Sequence, residues 1–258
     1  MIHLITLSGN SKRFIHQGYT HKALCDINGY SVIETFIKSF TDFNKYQSIF
    51  LCRQDDLDHT ELNNEIKKHS NNAVVYGIKQ NNLGPVYSIQ KIFNQLPNNQ
   101  KILISYIDAP QKTSISNLLD CFSGYDGGIT VHNFQNPHWR TNCDYCLVEY
   151  NEKLAVCQVA EKHKFTDKDF SHPRKGGSNG SYYFHSIKLM KKYFTHLLNN
   201  NIRVNNEFYI TQALEYMIKD NLKVKEYHCP YASLGTPADL EDYAFWMRWF
   251  NDFNSTSR

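Results

Sequence analysis

The residues best suited to phosphate chemistry lie near the amino terminus. The apolar run Ile2–Leu7 leads into the small-residue turn 8–14, which contains Gly9 and Arg13, and Lys22 follows Arg13 by nine residues. Glycine lets a backbone approach an anion closely, and successive backbone N–H groups in such a turn form a concave set of donors. Arg13 and Lys22 add fixed positive charge. The pattern predicts a polyphosphate site at the end of the first strand.

Two residues further along the chain suit the same chemistry. Asp108 follows the apolar run 102–104, at the strand end where parallel sheets bind ligands. A carboxylate there is a candidate ligand for Mg²⁺, which takes few protein ligands together with waters and phosphates. A turn aspartate before Pro110 is an equal alternative on this evidence alone. Gly84 precedes a predicted helix at Pro85, and either close approach of a nucleoside or simple helix entry accounts for it.

Strand and helix signals alternate through the first half of the chain. Strands are predicted at 2–7, 48–52, 73–76 and 101–105, and helices at 31–43, 57–69 and 85–95. Ser31 and Glu34 have the spacing of a capping box at the start of the first of these helices. The alternation predicts an α/β fold, with a Rossmann-like, mixed and mostly parallel sheet flanked by helices.

The second half is richer in strands. They are predicted at 127–132, 145–150, 154–160, 181–184 and 223–229, with irregular structure at 163–180. Helices are predicted at 187–198 and 207–220, and a last helix is capped by residues 236–239 and runs to about residue 250. We therefore expect one domain, 1–258, in which a β-rich second half is inserted into the same fold.

The order of these motifs resembles that of the sugar-nucleotide pyrophosphorylases, a nucleotidyltransferase family. Residues 7–14 (LSGNSKRF) and 21–34 (HKALCDINGYSVIE) are similar to the family's L-A-G-G-x-G-x-R-F, P-K-P-L and I-x-G-K-P-x-I-E. The resemblance continues through 159–162, 176–184, 205–211 and 234–240, so that it covers nearly the whole chain. It implies transfer of a nucleoside monophosphate from a triphosphate to a phosphorylated acceptor. It also implies a nucleotide-binding half at 1–125, an acceptor-binding half at 126–235 and a C-terminal helix at 236–258.

The resemblance also implies a role for each candidate residue. Arg13 and Lys22 are the implied catalytic cations, with Lys22 acting on the α-phosphate in the transition state. Asp108 is the implied Mg²⁺ ligand. The nucleotide is implied to contact Leu7, Ser8, Gly9, Asn10, Ser11, Lys12 and Gly84, and the acceptor to contact Glu161, Lys162, Asn179, Gly180 and Glu207.

Four positions depart from the family pattern. Ser11 replaces a glycine, and His21 and His163 each replace a proline. Ser233 stands where many members have a second metal-binding aspartate, so the metal has a single firm carboxylate, or Glu207 or water completes its shell.

A capsule-locus, BcbE-like branch of the family also lacks that aspartate. It shares the motifs at 126–129, 137–139 and 202–209. This branch implies CTP as the nucleotide, and a phosphorylated amino acid such as phosphoglutamine as one possible acceptor, in the synthesis of a surface polysaccharide. A sugar-1-phosphate acceptor with UTP, GTP or dTTP is the alternative.

Composition limits the other classes of function. The chain has 28 basic and 25 acidic side chains, and this near balance argues against general nucleic-acid binding. The amino terminus is unlike a secretory signal and no apolar run could span a bilayer, so we expect a cytoplasmic protein without a membrane partner. Seven scattered cysteines fit reduced thiols, and the pair Cys143 and Cys146 on a predicted strand does not suggest a zinc or redox site.

Two rival functions follow from the same residues. A glycosyltransferase of related architecture would carry D-x-D where Ile107-Asp108-Ala109 stands, and that motif is missing there. The stretch 55–58 resembles D-x-D, but it precedes a polar helix and is predicted to cap it. A non-catalytic binding protein is the second rival, suggested by Ser11 and Ser233.

Overall fold

A nine-stranded mixed sheet forms the centre of the protein in the computed structural model, which describes residues 1–9, 11–133 and 144–255. In chain order the strands are β1 (Ile2–Leu7), β2 (Asp26–Ile27), β3 (Tyr30–Ser31), β4 (Gln47–Arg53), β5 (Val74–Ile78), β6 (Ile102–Tyr106), β7 (Gly127–His132), β8 (Asp144–Tyr150), β9 (Val156–Lys164), β10 (Lys175–Phe184) and β11 (Val224–His228). β2 and β3 pair only with each other.

The strand order across the main sheet is β11-β7-β10-β6-β1-β4-β5. β5, β4, β1 and β6 are parallel, β10 runs antiparallel between β6 and β7, and β11 is parallel to β7. β8 pairs antiparallel with β10, and β9 pairs antiparallel with β8. The predicted α/β class, with a mixed and mostly parallel sheet flanked by helices, is confirmed.

Helices cover both faces of the sheet. They are α1 (Lys12–Ile15), α2 (Val32–Ser39), α3 (Gln54–His59), α4 (Leu62–His69), α5 (Pro85–Gln90), α6 (Ile115–Cys121), α7 (Asp167–Ser171), α8 (Ile187–Asn199), α9 (Ile210–Lys219) and α10 (Pro237–Ser255). The predicted cap of α2 is present, because the Ser31 hydroxyl accepts the Glu34 N–H at 3.1 Å. Among the described residues, no helix is long and apolar enough to cross a membrane.

The apolar side chains of the central strands alternate between two clusters. Leu4 packs with α5, α8 and α9, whereas its neighbour Ile5 packs with α2, α4 and α6 on the opposite face. Successive residues of a strand point to opposite faces, so a strand buried on both sides is apolar throughout. With both faces covered, the carboxyl ends of the parallel strands remain as the place for a ligand.

Several predicted boundaries are wrong for identifiable reasons. The helix predicted at 57–69 is two helices, because the extended backbone of Thr60 ends the first and its hydroxyl accepts the Leu62 N–H at 3.2 Å. Asp55 and Asp56 lie in the first turn of α3 and do not cap it, since Arg53 is the N-cap residue. The helix predicted at 85–95 ends at Gln90.

The segment predicted to be irregular, 163–180, contains α7 and most of β10. The glycine-rich start of β10 has little strand propensity of its own, but it lies between β7 and β8 and makes ladder hydrogen bonds with both. α6 was not predicted from the sequence. Cys146 is buried on β8, and Cys143 lies outside the described residues.

Glu226 is a buried carboxyl group on β11. It is 1% exposed, and within the described part of the chain neither of its side-chain oxygens has a hydrogen-bond partner. Burial raises its pKa to about 7, against the smaller opposing effect of Lys225. Burial also lowers the pKa of His228, whose Nε2 lies 3.3 Å from Glu226 Oε2. Both shifts favour a protonated, uncharged Glu226 beside an uncharged His228.

Glu226→Gln should therefore change how stability depends on pH. The folded protein holds the Glu226 proton more tightly than the unfolded chain does, so this residue's contribution to stability is present at low pH and is lost as pH rises through about 7. Glutamine does not ionise. The gain in unfolding free energy from the substitution should be about 2 kcal/mol larger at pH 8 than at pH 5, as measured by urea denaturation.

Glu152→Gln is the matched control, because the Glu152 side chain is 86% exposed. It should show no comparable difference between the two pH values. A Glu226→Gln effect that is the same at both would contradict the assignment of a raised pKa.

Candidate active site

Two adjoining cavities open at the carboxyl ends of β1 and β6. The first has a volume of about 260 Å³ and the second of about 750 Å³. Tyr106, Asp108 and Tyr209 border both cavities, so the two spaces meet at these side chains. This arrangement provides two compartments with a common boundary.

Lys22 and Asp108 form an ion pair at this boundary. Lys22 Nζ donates to Asp108 Oδ2 at 2.7 Å, and both side chains are partly shielded from solvent. Burial raises the pKa of Asp108, but the charge and hydrogen bond of Lys22 and the charge of Arg13 outweigh it and leave the pKa below its usual value. Asp108 is therefore an anion at neutral pH.

His21 anchors the turn that carries Lys22. Its ring is fully buried, and Nδ1 accepts the Ala23 N–H at 3.1 Å. On its other side Nε2 lies 3.4 Å from Asp56 Oδ2, and Arg53 Nε lies 3.6 Å from the same oxygen. The histidine that replaces the family's proline thus fixes the direction of the Lys22 backbone.

The structure places the residues predicted for the phosphate loop in different surroundings. Ser8 and Gly9 border the first cavity, and a Cβ added at Gly9 would meet nothing within 4 Å, so space is open above it. Arg13 is exposed and borders the second cavity. Leu7 belongs to the core and Ser11 is buried at the start of α1. Lys12 is exposed on α1, and Asn10 lies outside the described residues.

Gly84 lies in the turn that leads into α5, and the backbone conformation of this turn strongly favours glycine. Its φ is +88°, and a Cβ there would lie 2.8 Å from the Phe208 carbonyl oxygen. The Phe208 N–H donates to the Leu83 carbonyl at 2.9 Å, which holds this turn against the start of α9. Glu207 is consequently brought beside Gly84 in the first cavity, although the sequence assigned it to the acceptor.

The other residues predicted to bind the acceptor border the second cavity. They are Glu161, Lys162, Asn179 and Gly180. Burial raises the pKa of Glu161, while a hydrogen bond from the Thr211 hydroxyl and the charge of Lys162 oppose the shift. Lys162 Nζ lies 5.5 Å from the centre of the Tyr209 ring.

Sequence reasoning missed a buried polar network beneath this cavity. Gln111 Nε2 donates to the Asn179 carbonyl at 2.7 Å and to Ser181 Oγ at 2.9 Å, and the Asn179 amide donates to the Cys229 carbonyl at 3.1 Å. These bonds fix the register of β10 where its pairing with β7 shifts between residues 178 and 182. Gln111 carries no local motif that could have revealed this role.

Sequence reasoning also missed the tyrosines of the cleft. Burial raises the pKa of Tyr106 and of Tyr182, so both hydroxyls stay protonated donors at neutral pH. Their rings pack edge to face with centres 5.5 Å apart. Tyr106 ends the strand that precedes Asp108, which is the one positional signal available in the sequence.

The segment before α10 brings a second carboxylate near Asp108. A Cβ added at Gly235 would lie 3.8 Å from Asp108 Oδ2 and 3.8 Å from Asp239 Oδ2, so the two groups flank this glycine. The Leu234 N–H donates to the Asp108 carbonyl at 2.8 Å and holds the segment in place. Ser233 is one of the four positions that differ from the family pattern. Its Oγ donates to Asp239 Oδ2 at 3.3 Å, so it contacts the nearby aspartate.

The oxygen donors around Asp108 fit a hard divalent cation. Among residues 1–9, 11–133 and 144–255, the group of three metal-ligand side chains close together is Glu34, Glu65 and His69, on α2 and α4. The cleft instead offers one ionised carboxylate, a second beside it and open volume. Mg²⁺ is commonly bound by one or two carboxylates with phosphates and waters, so this donor set fits it.

The chain matches one family model. The family model for the MobA-like NTP transferase domain matches residues 4–169. No curated protein sequence matches the chain.

Solved structures share the fold over nearly the whole chain. A nucleoside-diphosphate-sugar pyrophosphorylase from Vibrio cholerae is 18% identical with a TM-score of 0.72, over 95% of this chain and 99% of that one. An inositol-1-phosphate CTP transferase from T. maritima is 14% identical with a TM-score of 0.68, over 94% and 93%. A UTP-bound UGPase from Acinetobacter baumannii is also 14% identical with a TM-score of 0.68, over 95% and 92%.

Gly84→Ala should weaken binding in the first cavity. The added methyl group meets the Phe208 backbone and the positive φ becomes strained, so the turn must shift away from the start of α9. We expect a loss of about 1–3 kcal/mol in unfolding free energy. The KM for a nucleoside triphosphate should rise at least about tenfold, corresponding to roughly 1.4 kcal/mol, with a smaller change for the acceptor.

Gly124→Ala separates the effect of backbone strain from that of crowding. Gly124 also has a positive φ, +79°, but a Cβ there would meet nothing within 4 Å. It should lose stability without a change in the triphosphate KM. Equal KM values for the two variants would show that the Gly84 turn does not form part of the nucleotide site.

Proposed function

Because the chain belongs to the MobA-like NTP transferase family and is a nucleotidyltransferase, we propose that it transfers CMP from CTP to a phosphorylated small acceptor. Pyrophosphate is the second product. The observation that carries the proposal is the Lys22–Asp108 ion pair at the boundary of two cavities. One cavity receives the triphosphate and the other the acceptor, so that the reacting groups meet beside this pair.

The reaction requires two polyanions to approach each other. An oxygen of the acceptor phosphate attacks the α-phosphorus, a new P–O bond forms, and the bond from the α-phosphorus to the bridging oxygen of the leaving pyrophosphate breaks. A phosphate monoester has a second pKa near ~6, so the nucleophile is already ionised at neutral pH and no general base is needed. The protein has to supply position and positive charge.

The positive charges lie on both sides of the boundary. Lys22 borders the first cavity, where its ammonium group neutralises charge that develops on the α-phosphate. Arg13 borders the second cavity near Asp108 and is proposed to reach the β- and γ-phosphates across the boundary. The backbone of Ser8 and Gly9, which border the first cavity, is proposed to hold the same phosphates there. His21 keeps Lys22 in register through the bond to the Ala23 N–H.

Asp108 is the proposed ligand of Mg²⁺. When bound, the cation offsets the negative charge of the phosphates between which the new bond forms. Asp239 is the better candidate for a second carboxylate than Glu207, because it flanks Gly235 together with Asp108. Ser233 then supports the site by its hydrogen bond to Asp239 and does not replace the family's aspartate directly.

The second cavity is proposed to hold the acceptor through Glu161, Lys162, Asn179 and Gly180. Lys162 provides a cation for the acceptor phosphate, and Glu161 accepts hydrogen bonds from the remainder of the molecule. Glu207 is assigned to the nucleotide because it lies beside Gly84. A phosphorylated amino acid such as phosphoglutamine, used in capsule synthesis, is one acceptor that we propose to test.

Two alternatives have different support. A sugar-1-phosphate acceptor with UTP, GTP or dTTP uses the same chemistry, and the structural neighbours include both a CTP transferase and a UTP-bound enzyme. The glycosyltransferase alternative is disfavoured by the family match.

An assay of pyrophosphate release distinguishes these possibilities. Each of the four triphosphates is tested with each phosphorylated acceptor in the presence of Mg²⁺. Pyrophosphate from CTP with one acceptor supports the proposal, and its formation only from another triphosphate rejects the CTP assignment.

Lys22→Ala should abolish most of the turnover while the fold survives. The substitution removes the cation nearest the reacting phosphate, and loss of one preorganised group of this kind costs about 10²–10³ in kcat. Asp108→Asn should lower the metal-dependent rate by weakening the proposed Mg²⁺ site. Both effects are measured by pyrophosphate release at saturating substrates.

Lys45→Ala serves as the control, because Lys45 is an exposed lysine in the short turn Phe43–Lys45. It should retain the parental rate and melting temperature. A Lys22→Ala protein that keeps full activity but melts at a much lower temperature would identify Lys22 as a structural residue.

A further inference from the structure

The last three turns of α10 carry an unusual apolar surface. The large apolar side chains there are each between 41% and 58% exposed, and they are Phe245, Trp246, Met247, Trp249, Phe250 and Phe253. In the rest of the described chain, the exposed large apolar side chains are Ile15, Tyr30 and Leu154, on separate elements. Contiguous apolar patches on a protein surface mark interaction sites.

The helix is attached to the body by its first half only. Leu240 is buried, and Tyr243 and Ala244 pack at the edge of the core formed with α2. The Asn28 amide donates to the Ala244 carbonyl at 2.8 Å. From residue 245 to residue 253 every side chain is exposed, so this part of α10 extends beyond the core.

The exposed aromatic residues are ordered on one face. Trp246, Trp249, Phe250 and Phe253 follow the spacing i, i+3, i+4 and i+7, which places them in one stripe along a helix. We call these four residues the aromatic stripe. The rings of Trp249 and Phe253 are stacked with centres 5.2 Å apart, so the stripe is already organised. Phe245 and Met247 lie at its edges.

We propose that the aromatic stripe pairs with the stripe of a second copy of this chain. Two helices related by a two-fold axis run antiparallel and use the same surface on both sides. With the axis midway between Trp249 and Phe250, these two residues lie opposite each other across the pair, and Trp246 lies opposite Phe253. The stripe is therefore complementary to itself.

The available area is sufficient for such a pair. An aromatic side chain presents about 150–250 Å², and six large apolar side chains that are about half exposed offer roughly 600 Å² on each copy. With the stripe and both flanking side chains covered, pairing would bury at most roughly 1,200 Å² in total, which is the lower limit for a specific protein interface.

Charge favours a second copy over a lipid surface. The stripe itself contains no charged side chain, so its pairing requires no charge to be desolvated. Over its whole length α10 has one basic residue, Arg248, and four acidic residues, Asp239, Glu241, Asp242 and Asp252. Helices that bind anionic membranes carry lysine and arginine on the polar face, and this helix has the opposite balance.

Sedimentation velocity on the full chain tests the proposal. The parental protein should be a concentration-dependent dimer. Trp249→Glu should raise the dissociation constant of this dimer at least tenfold, because it places a charge between the two paired stripes. Asn251→Glu adds the same charge on the polar face and should remain dimeric. Phe250→Ser provides a second variant that disrupts the aromatic stripe if Trp249→Glu folds poorly.

The proposal is overturned if the parental chain stays monomeric at the highest concentration reached. It is equally overturned if well-folded Trp249→Glu and Phe250→Ser proteins dimerise as tightly as the parental chain. A flotation assay with vesicles of phosphatidylcholine and phosphatidylglycerol tests whether the stripe binds a membrane. Vesicle binding by a monomeric parental protein, lost in Trp249→Glu, would assign the stripe to a membrane instead.

Discussion

The candidate active site depends most on the ion pair between Lys22 and Asp108. These residues come from distant parts of the chain, and their atoms meet at 2.7 Å where two cavities join. Before a ligand binds, each charge compensates the other in a partly buried position. In the proposed function, a magnesium triphosphate would offer both of them a new partner, with Asp108 as a ligand of the metal and Lys22 as the partner of the phosphate. The proposed reaction uses this exchange of partners.

Sheet topology explains why these two charges can meet. β1 and β6 are adjacent and parallel, so the turn after one and the aspartate after the other emerge at the same edge. The antiparallel β10 then brings Asn179 to the other side of Asp108, supported by the Gln111 network. Two cavities, the proposed triphosphate and acceptor sites, therefore lie on either side of a single carboxylate.

The sequence predicted the parts of the fold that local signals specify. Apolar runs and caps located β1, β4, β6, β7 and α2, because propensity, burial and turn chemistry agree there. The glycine-rich part of β10 was missed, since its strand conformation comes from neighbours on both sides and not from its own residues. The break at Thr60 depends on one side-chain hydroxyl that competes with the helix.

For the site, motif order singled out Lys22, Gly84 and Asp108, and the structure brings all three to the border of the first cavity. Motif order did not predict that Glu207 would lie in the same cavity, because that position depends on how the turn at Gly84 packs against the start of α9. Proximity of Asp239 to Asp108 depends on how residues 233–239 fold back along the strand end, which no periodicity encodes.

The most direct test is a crystal structure with Mn²⁺ and a CTP analogue that cannot be cleaved at the α-phosphorus. The account predicts an anomalous peak bonded to an Asp108 carboxylate oxygen, with Lys22 Nζ moved from Asp108 to the α-phosphate. A triphosphate bound in the cleft with the Lys22–Asp108 ion pair unchanged and the metal elsewhere would contradict it.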